Sequence, residues 1–182
     1  MDHDKTDDAA LVAAARAGDT AAFEMLVRRH SRAVYAHAMR FFGDPVAADD
    51  VTQEVFIKVF RSLATFDERA RFTTWLYRVT RNACLDEVRA GRRRPVPVDP
   101  FDSPELSGDF SDEVVLSTAV EHAMRSLAPE DRDALSAVAL FGLSYAEAST
   151  TLGVPAGTVK SRVFRARKTL AATLGLIQGG AN

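Results

Sequence analysis

Between Ala156 and Leu170 the chain carries five cations, Lys160, Arg162, Arg165, Arg167 and Lys168, and no acid. At about 100° per residue, Val159, Val163, Ala166 and Leu170 fall on one helical stripe, the side expected to be buried. Gly157, Thr158, Ser161, Phe164, Arg165 and Lys168 lie broadly opposite, with Lys160 at the edge. Phe164 is the odd member, a large apolar side chain on a polar face. Contact with a thymine methyl or a sugar would give it a role in a DNA groove. The other use of such a helix is packing on a second protein. The segment before it favours DNA. Ser144 and Glu147 have the spacing of a capping box, Gly153 suits a left-handed helix stop, and Pro155 suits the next first turn. Helix, tight turn and basic helix together match the geometry that enters a major groove.

A second set of polar groups lies at residues 46–63. Ala48, Val51, Val55 and Val59 form a core stripe. On the far side Asp49, Asp50, Gln53 and Glu54 alternate with Phe56, Ile57 and Phe60. Acids beside bulky apolar groups suit a protein-binding surface, and they equally suit a face covered by one further helix.

The third set joins basic groups to aromatics. Residues 58–94 hold 10 basic and 4 acidic side chains. A loop from Thr65 to Arg71 leads into a helix whose inner stripe is Phe72, Trp75, Leu76, Val79 and Ala83, with Tyr77, Arg78 and Arg81 expected outward. Charge that follows a backbone and rings that stack on bases are what single-stranded DNA requires. Trp75 and Phe72 are assigned to the core, and Phe66 is the better candidate to meet an unstacked base.

These groups need helices to hold them. Helices are expected near 8–17, 20–41, 46–63 and 72–91, then near 112–126, 130–140, 144–152 and 155–173. Period-two alternation is not sustained, so the fold class expected is all-α, with two small helical domains. The boundary is a proline-rich acidic linker at 95–112, which has five acids and no cation. The division is 1–94, linker, 113–177, and a tail at 178–182.

Composition excludes several functions. At 182 residues, 47% apolar and 26% charged, the chain resembles ordinary globular proteins. Its net charge of −2 predicts weak DNA binding unaided, with local basic patches that act once a partner is present. No apolar run reaches membrane-spanning length and the N-terminus is acidic, so no membrane insertion and a cytoplasmic setting are expected. Cys84 is the single cysteine. His3, His30, His37 and His122 show no metal spacing with it, and no glycine loop or nucleophile motif appears. No enzyme, catalytic residue, cofactor or metal is expected.

Three blocks, in order around the acidic linker, resemble the small extracytoplasmic-function sigma factors of bacteria. They are Ala48-Asp49-Asp50-Val51-Thr52-Gln53-Glu54-Val55-Phe56; Thr74-Trp75-Leu76-Tyr77-Arg78-Val79 with Asn82, Asp86 and Arg89; and Gly157-Thr158-Val159-Lys160-Ser161-Arg162. The resemblance runs from about Ala9 to Leu174. It implies a region-two helical bundle followed by a region-four helix–turn–helix. It also implies that Asp49, Asp50, Gln53, Glu54 and Phe56 dock on the clamp helices of core RNA polymerase, with region four at its flap. Phe66 and Asn82 would capture a flipped base of the minus-ten element, with Tyr77, Arg78 and Arg81 supporting that strand. Tyr145, Gly157, Thr158, Lys160, Ser161, Phe164 and Arg165 would read the minus-thirty-five element. Promoter DNA, duplex and single-stranded, and core polymerase are thus the implied partners, with an anti-sigma factor as a further partner of the family. Two departures stand out: Glu147-Ala148-Ser149 replaces the usual Glu-Ile-Ala, and Lys160 stands where many members place Arg. The rival reading is a helix–turn–helix regulator that binds operator DNA without polymerase.

Overall fold

The computed structural model describes residues 7–67, 69–91, 123–124 and 126–175, and among these there is no strand. The first half contains α1 (Asp8–Arg16), α2 (Thr20–Phe42), α3 (Pro45–Ser62), a 3₁₀ turn (Leu63–Thr65) and α4 (Phe72–Arg89). The second contains α5 (Pro129–Ala139), α6 (Tyr145–Leu152) and α7 (Ala156–Thr173). The expected linker and most of the expected helix at 112–126 lie outside the described residues.

Local chemistry sets the boundaries. Asp19 caps α2, its carboxylate accepting from the amides of Ala21 and Ala22 at 2.9 and 3.2 Å. Gly43 ends that helix at φ 68°, a left-handed conformation that costs glycine little. Asp44 then caps α3 through the Val46 amide, and Pro45 occupies the first helical position, where no N–H is needed. These residues explain a sharp corner between two long helices.

In the first half, α2 packs on α1 and α3, and α3 packs on α4. Leu11, Leu26, Val34, Val51, Val55, Val59 and Leu76 are almost wholly buried there. In the second half, α7 lies across α5 and α6, and Val159, Val163 and Ala166 fill the centre. Those three belong to the stripe expected from periodicity, whose fourth member, Leu170, is half-buried against the same cluster. The two halves touch through α4 and α6, and their buried side chains form one continuous apolar cluster.

Candidate nucleic-acid and partner interfaces

The helix–turn–helix is built as its sequence demands. The Glu147 amide donates to Ser144 Oγ at 3.2 Å, and the Ser144 amide donates to Glu147 Oε2 at 2.7 Å, which closes the capping box. Burial alone pushes the Glu147 pKa up, but bonds from the Ser144 backbone and side chain and from Thr74 outweigh it and leave it lowered. Gly153 stops α6 at φ 68°. Ser149, one of the departures from the family pattern, donates its hydroxyl to the Val154 carbonyl at 2.6 Å and so ties α6 to the turn. Ala148 beside it is fully buried, so the smaller side chain still fills a core position.

On α7 the outward face carries the expected residues. Gly157, Lys160, Ser161, Phe164 and Arg165 are exposed and Thr158 is half-buried. Phe164 is 69% exposed and stands outside the apolar cluster. Lys160 Nζ lies over the half-buried Tyr145 ring, 5.6 Å from its centre, a cation–π contact that joins α7 to α6. Arg165 makes a two-point ion pair with Asp131 of α5.

The loop before α4 differs from expectation. Phe66 is only 7% exposed, with its ring 4.8 Å from that of Trp75 and 6.2 Å from that of Phe72. It is therefore a wall and not a free finger, because aromatic surface left in water is better buried against Trp75. The wall bounds a cleft of about 520 Å³, also lined by Asp67, Arg69, Trp75, Arg78 and Asn82. That volume falls within the usual range of small-molecule sites, about 300–1,000 Å³. Arg78 and Asn82 are exposed along it. An Asn amide offers both donors and an acceptor, the chemistry needed to read a base edge.

Tyr77 corrects a second expectation. It is fully buried, not outward, and its hydroxyl donates to the Asp133 carbonyl of α5 at 3.1 Å. Its ring packs against His37 and Phe141, 5.6 and 5.2 Å between centres. Tyr77 therefore lies between the halves, touching His37 of α2 on one side and Phe141 and Asp133 of the second half on the other. Arg81 is engaged by the same neighbour, its Nε donating to Asp133 Oδ2 at 2.9 Å. Thr74 donates to Glu147 Oε1 at 2.9 Å, and Arg71 donates to the Gly142 carbonyl at 3.0 Å. Of the five residues assigned to the opened strand, Phe66, Arg78 and Asn82 share the cleft, while Tyr77 and Arg81 hold the halves together.

This contact is dry enough to shift ionisation. Burial pushes His37 down to about 4, an effect that Arg40, Arg81 and Arg132 reinforce and Asp133 opposes. Neither ring nitrogen of His37 has a hydrogen-bond partner among the described residues. Burial likewise raises the Tyr77 phenol well above its ordinary value and pushes the Cys84 thiol up to about 12, so that thiol stays protonated.

On α3, Asp49, Asp50 and Gln53 are exposed as expected, and Glu54 is half-buried in an ion pair with Lys58 at 2.9 Å. Phe56 is a correction, since at 8% exposure it belongs to the core. It sits on the border of the stripe, close enough to Val55 and Val59 for packing to claim it. The apolar part of the open face is Ile57, 49% exposed, and Phe60, 61% exposed, with Phe60 edge-on to Phe23 of α2 at 5.1 Å. A simple signal marks them, since both continue the line Asp49, Gln53 at helical spacing.

Among the described residues no group of three His, Cys, Asp or Glu could hold a metal, and no helix is long and apolar enough to cross a membrane. Residues 26–94 match the family Sigma-70 region 2, and residues 117–170 match Sigma-70, region 4. The ECF RNA polymerase sigma factor SigM of Mycobacterium tuberculosis is 38% identical over 175 residues, 96% of this chain and 88% of that protein. The RNA polymerase sigma-H factor of Pseudomonas aeruginosa is 35% identical over 176 residues, 90% of this chain and 91% of the relative. Among solved structures, CnrH in complex with the cytosolic domain of CnrY superposes with a TM-score of 0.66 at 28% identity, over 94% of this chain and 99% of that one.

Proposed function

The chain belongs to the extracytoplasmic-function family of RNA polymerase sigma factors, and we propose how its three surfaces divide the work of initiation. As a sigma factor it binds core RNA polymerase and directs transcription from particular promoters. The α3 face of Asp49, Asp50, Gln53 and Glu54, with Ile57 and Phe60 in place of Phe56, docks on the clamp helices. The exposed face of α7, with Tyr145 beside it, enters the major groove of the minus-thirty-five element. The cleft bounded by Phe66, Arg78 and Asn82 receives a base of the minus-ten element as the duplex opens. This work is done in the cytoplasm, where polymerase and promoters are, and RNA synthesis itself is the polymerase's chemistry.

The observation that carries this reading is the presence, on one chain, of a helix–turn–helix with an exposed basic face and a separate cleft lined by Arg78 and Asn82. An operator-binding regulator would use the first and leave the second without purpose. Tyr77 and Arg81 add a requirement. While the second half covers them they cannot meet DNA, so their support of the opened strand begins only after polymerase has drawn the halves apart. The parts that separate are then 1–94 and 113–177, joined by the acidic segment at 95–112.

The deciding experiment is reconstitution with core polymerase, followed by transcript-start mapping and permanganate footprinting of the opened region. Specific starts that depend on both partners are expected. Tight promoter binding without core enzyme, and no initiation with it, would overturn the proposal in favour of the regulator.

A further inference from the structure

The reading face of α7 has a border on each side, and each border cation is held from a different helix. At about 100° per residue, Gly157, Ser161, Phe164 and Lys168 form the middle of the face. Lys160 and Arg165 lie on opposite borders, about 140° apart. Lys160 rests over Tyr145 of α6. Arg165 is gripped harder. Its Nε donates to Asp131 Oδ2 at 3.0 Å and its Nη2 donates to Asp131 Oδ1 at 2.7 Å. Asp131 stands in the first turn of α5, two residues after Pro129, where the helix dipole favours a negative charge. The Asp131 side chain is only 12% exposed, while the Arg165 side chain is 57% exposed. A buried anion thus lies beneath a cation whose outer edge faces solvent.

This grip consumes Nε–H and one N–H of Nη2. The far end of the guanidinium remains, with one N–H from Nη1 and one from Nη2 side by side. That end-on pair matches two adjacent acceptors, which in a major groove are guanine O6 and N7. Holding the rotamer before DNA arrives lowers the entropy cost of the contact. Pairing also balances the charge, so Arg165 adds little to the sequence-independent attraction that comes from counterion release. An unheld arginine at this border would take any nearby phosphate.

We propose that Asp131 is a positioning residue for promoter recognition, aiming the free end of Arg165 at a guanine of the minus-thirty-five element and restraining its attraction to phosphate. This rests on α7 being the minus-thirty-five reader. The test uses holoenzyme assembled from the full chain and core polymerase, on a promoter found by transcript-start mapping. Affinities for that promoter and for each single-base variant of its minus-thirty-five element are measured across a salt series. Wild type discriminates at one guanine by about tenfold. Asp131→Asn reduces that preference to about twofold and steepens the log–log salt dependence by about one. Because Asn could weaken the first turn of α5, Arg165→Lys supplies an exposed second variant. It keeps the charge, cannot present the end-on fork, and should lose the same discrimination with the salt slope unchanged. In an Arg165→Ala background, Asp131→Asn should change nothing further. Asp131→Asn that weakens every variant equally at constant slope, or leaves both readouts as in wild type, overturns the proposal. If Arg165→Ala keeps discrimination while Phe164→Ala removes it, α7 reads without Arg165 and only this proposal falls. If neither variant affects discrimination, the reading of α7 itself falls.

Discussion

Phe164 and Asn82 are the residues where chemistry and exposure agree most directly, and they belong to different steps. Phe164 stands 69% exposed on α7, a position that folding alone does not reward. Phe164→Ala is expected to weaken recognition of the minus-thirty-five element by about tenfold while a promoter opened artificially still initiates normally. Lys160→Ala should act at the same step. Asn82→Ala should spare closed-complex affinity and lower permanganate reactivity of the opened bases, since the proposed role of the amide begins only after a base leaves the stack. Phe60 is the corresponding test for polymerase docking. Removing an exposed ring from the centre of an interface costs about 1–3 kcal/mol, so Phe60→Ala should weaken core affinity about tenfold or more in a fluorescence titration. Phe56→Ala should instead lower folding stability, as a buried phenylalanine does. The two neighbouring rings thus separate docking from packing.

At the scale of the element, the capping box shows how one carboxylate serves two structures. Glu147 Oε2 accepts from the Ser144 amide and starts α6, while Oε1 accepts from Thr74 of α4. Ser144→Ala removes the cap and should lower stability by about 1 kcal/mol, read as a fall in thermal midpoint. Thr74→Val leaves the cap intact and removes only the bond between halves, so its effect should appear as easier separation of the halves in a cross-linking assay. Helix ends were legible in the sequence because their determinants are adjacent. Asp19, Asp44, Pro45, Ser144 and Gly153 act within four residues of where they stand. The reading face of α7 was legible for the same reason, since a helix of known period turns local order into a face. Ser149 was not, because its bond to Val154 crosses a turn and no pattern of residue types announces it.

Across the whole molecule, the contact between halves governs both access and acid stability. His37 sits among Phe41, Tyr77 and Phe141 and is held neutral, its pKa pushed down to about 4 from an ordinary 6.5. Its contribution to stability is complete above about 6.5 and is lost as pH falls from there towards about 4, because the unfolded chain takes up the proton first. The slope in that window is on the order of 1.4 kcal/mol per pH unit. His37→Phe should flatten it, measured as the urea midpoint at pH 6.5 and pH 4.5, while the midpoint at neutral pH changes little. A slope unaffected by the substitution would place the acid sensitivity elsewhere, for instance at Asp8, whose pKa is lowered by His30 and Arg29 against the effect of burial.

The all-helical class, the capped helix ends and the buried stripe of α7 can be read from order along the chain. Each follows from short-range periodicity, capping and charge. Which side chains stay exposed on a given helix face depends on the packing of segments far away in the chain. Tyr77 and Arg81 were expected outward, but Asp133, more than fifty positions away in the chain, turns them into contacts. Arg165 is likewise held by Asp131, which lies 34 positions earlier. Phe66 folds against Trp75, and Phe56 turns into the core. Helical period names the face a residue occupies, whereas its freedom depends on what a distant segment brings to that face.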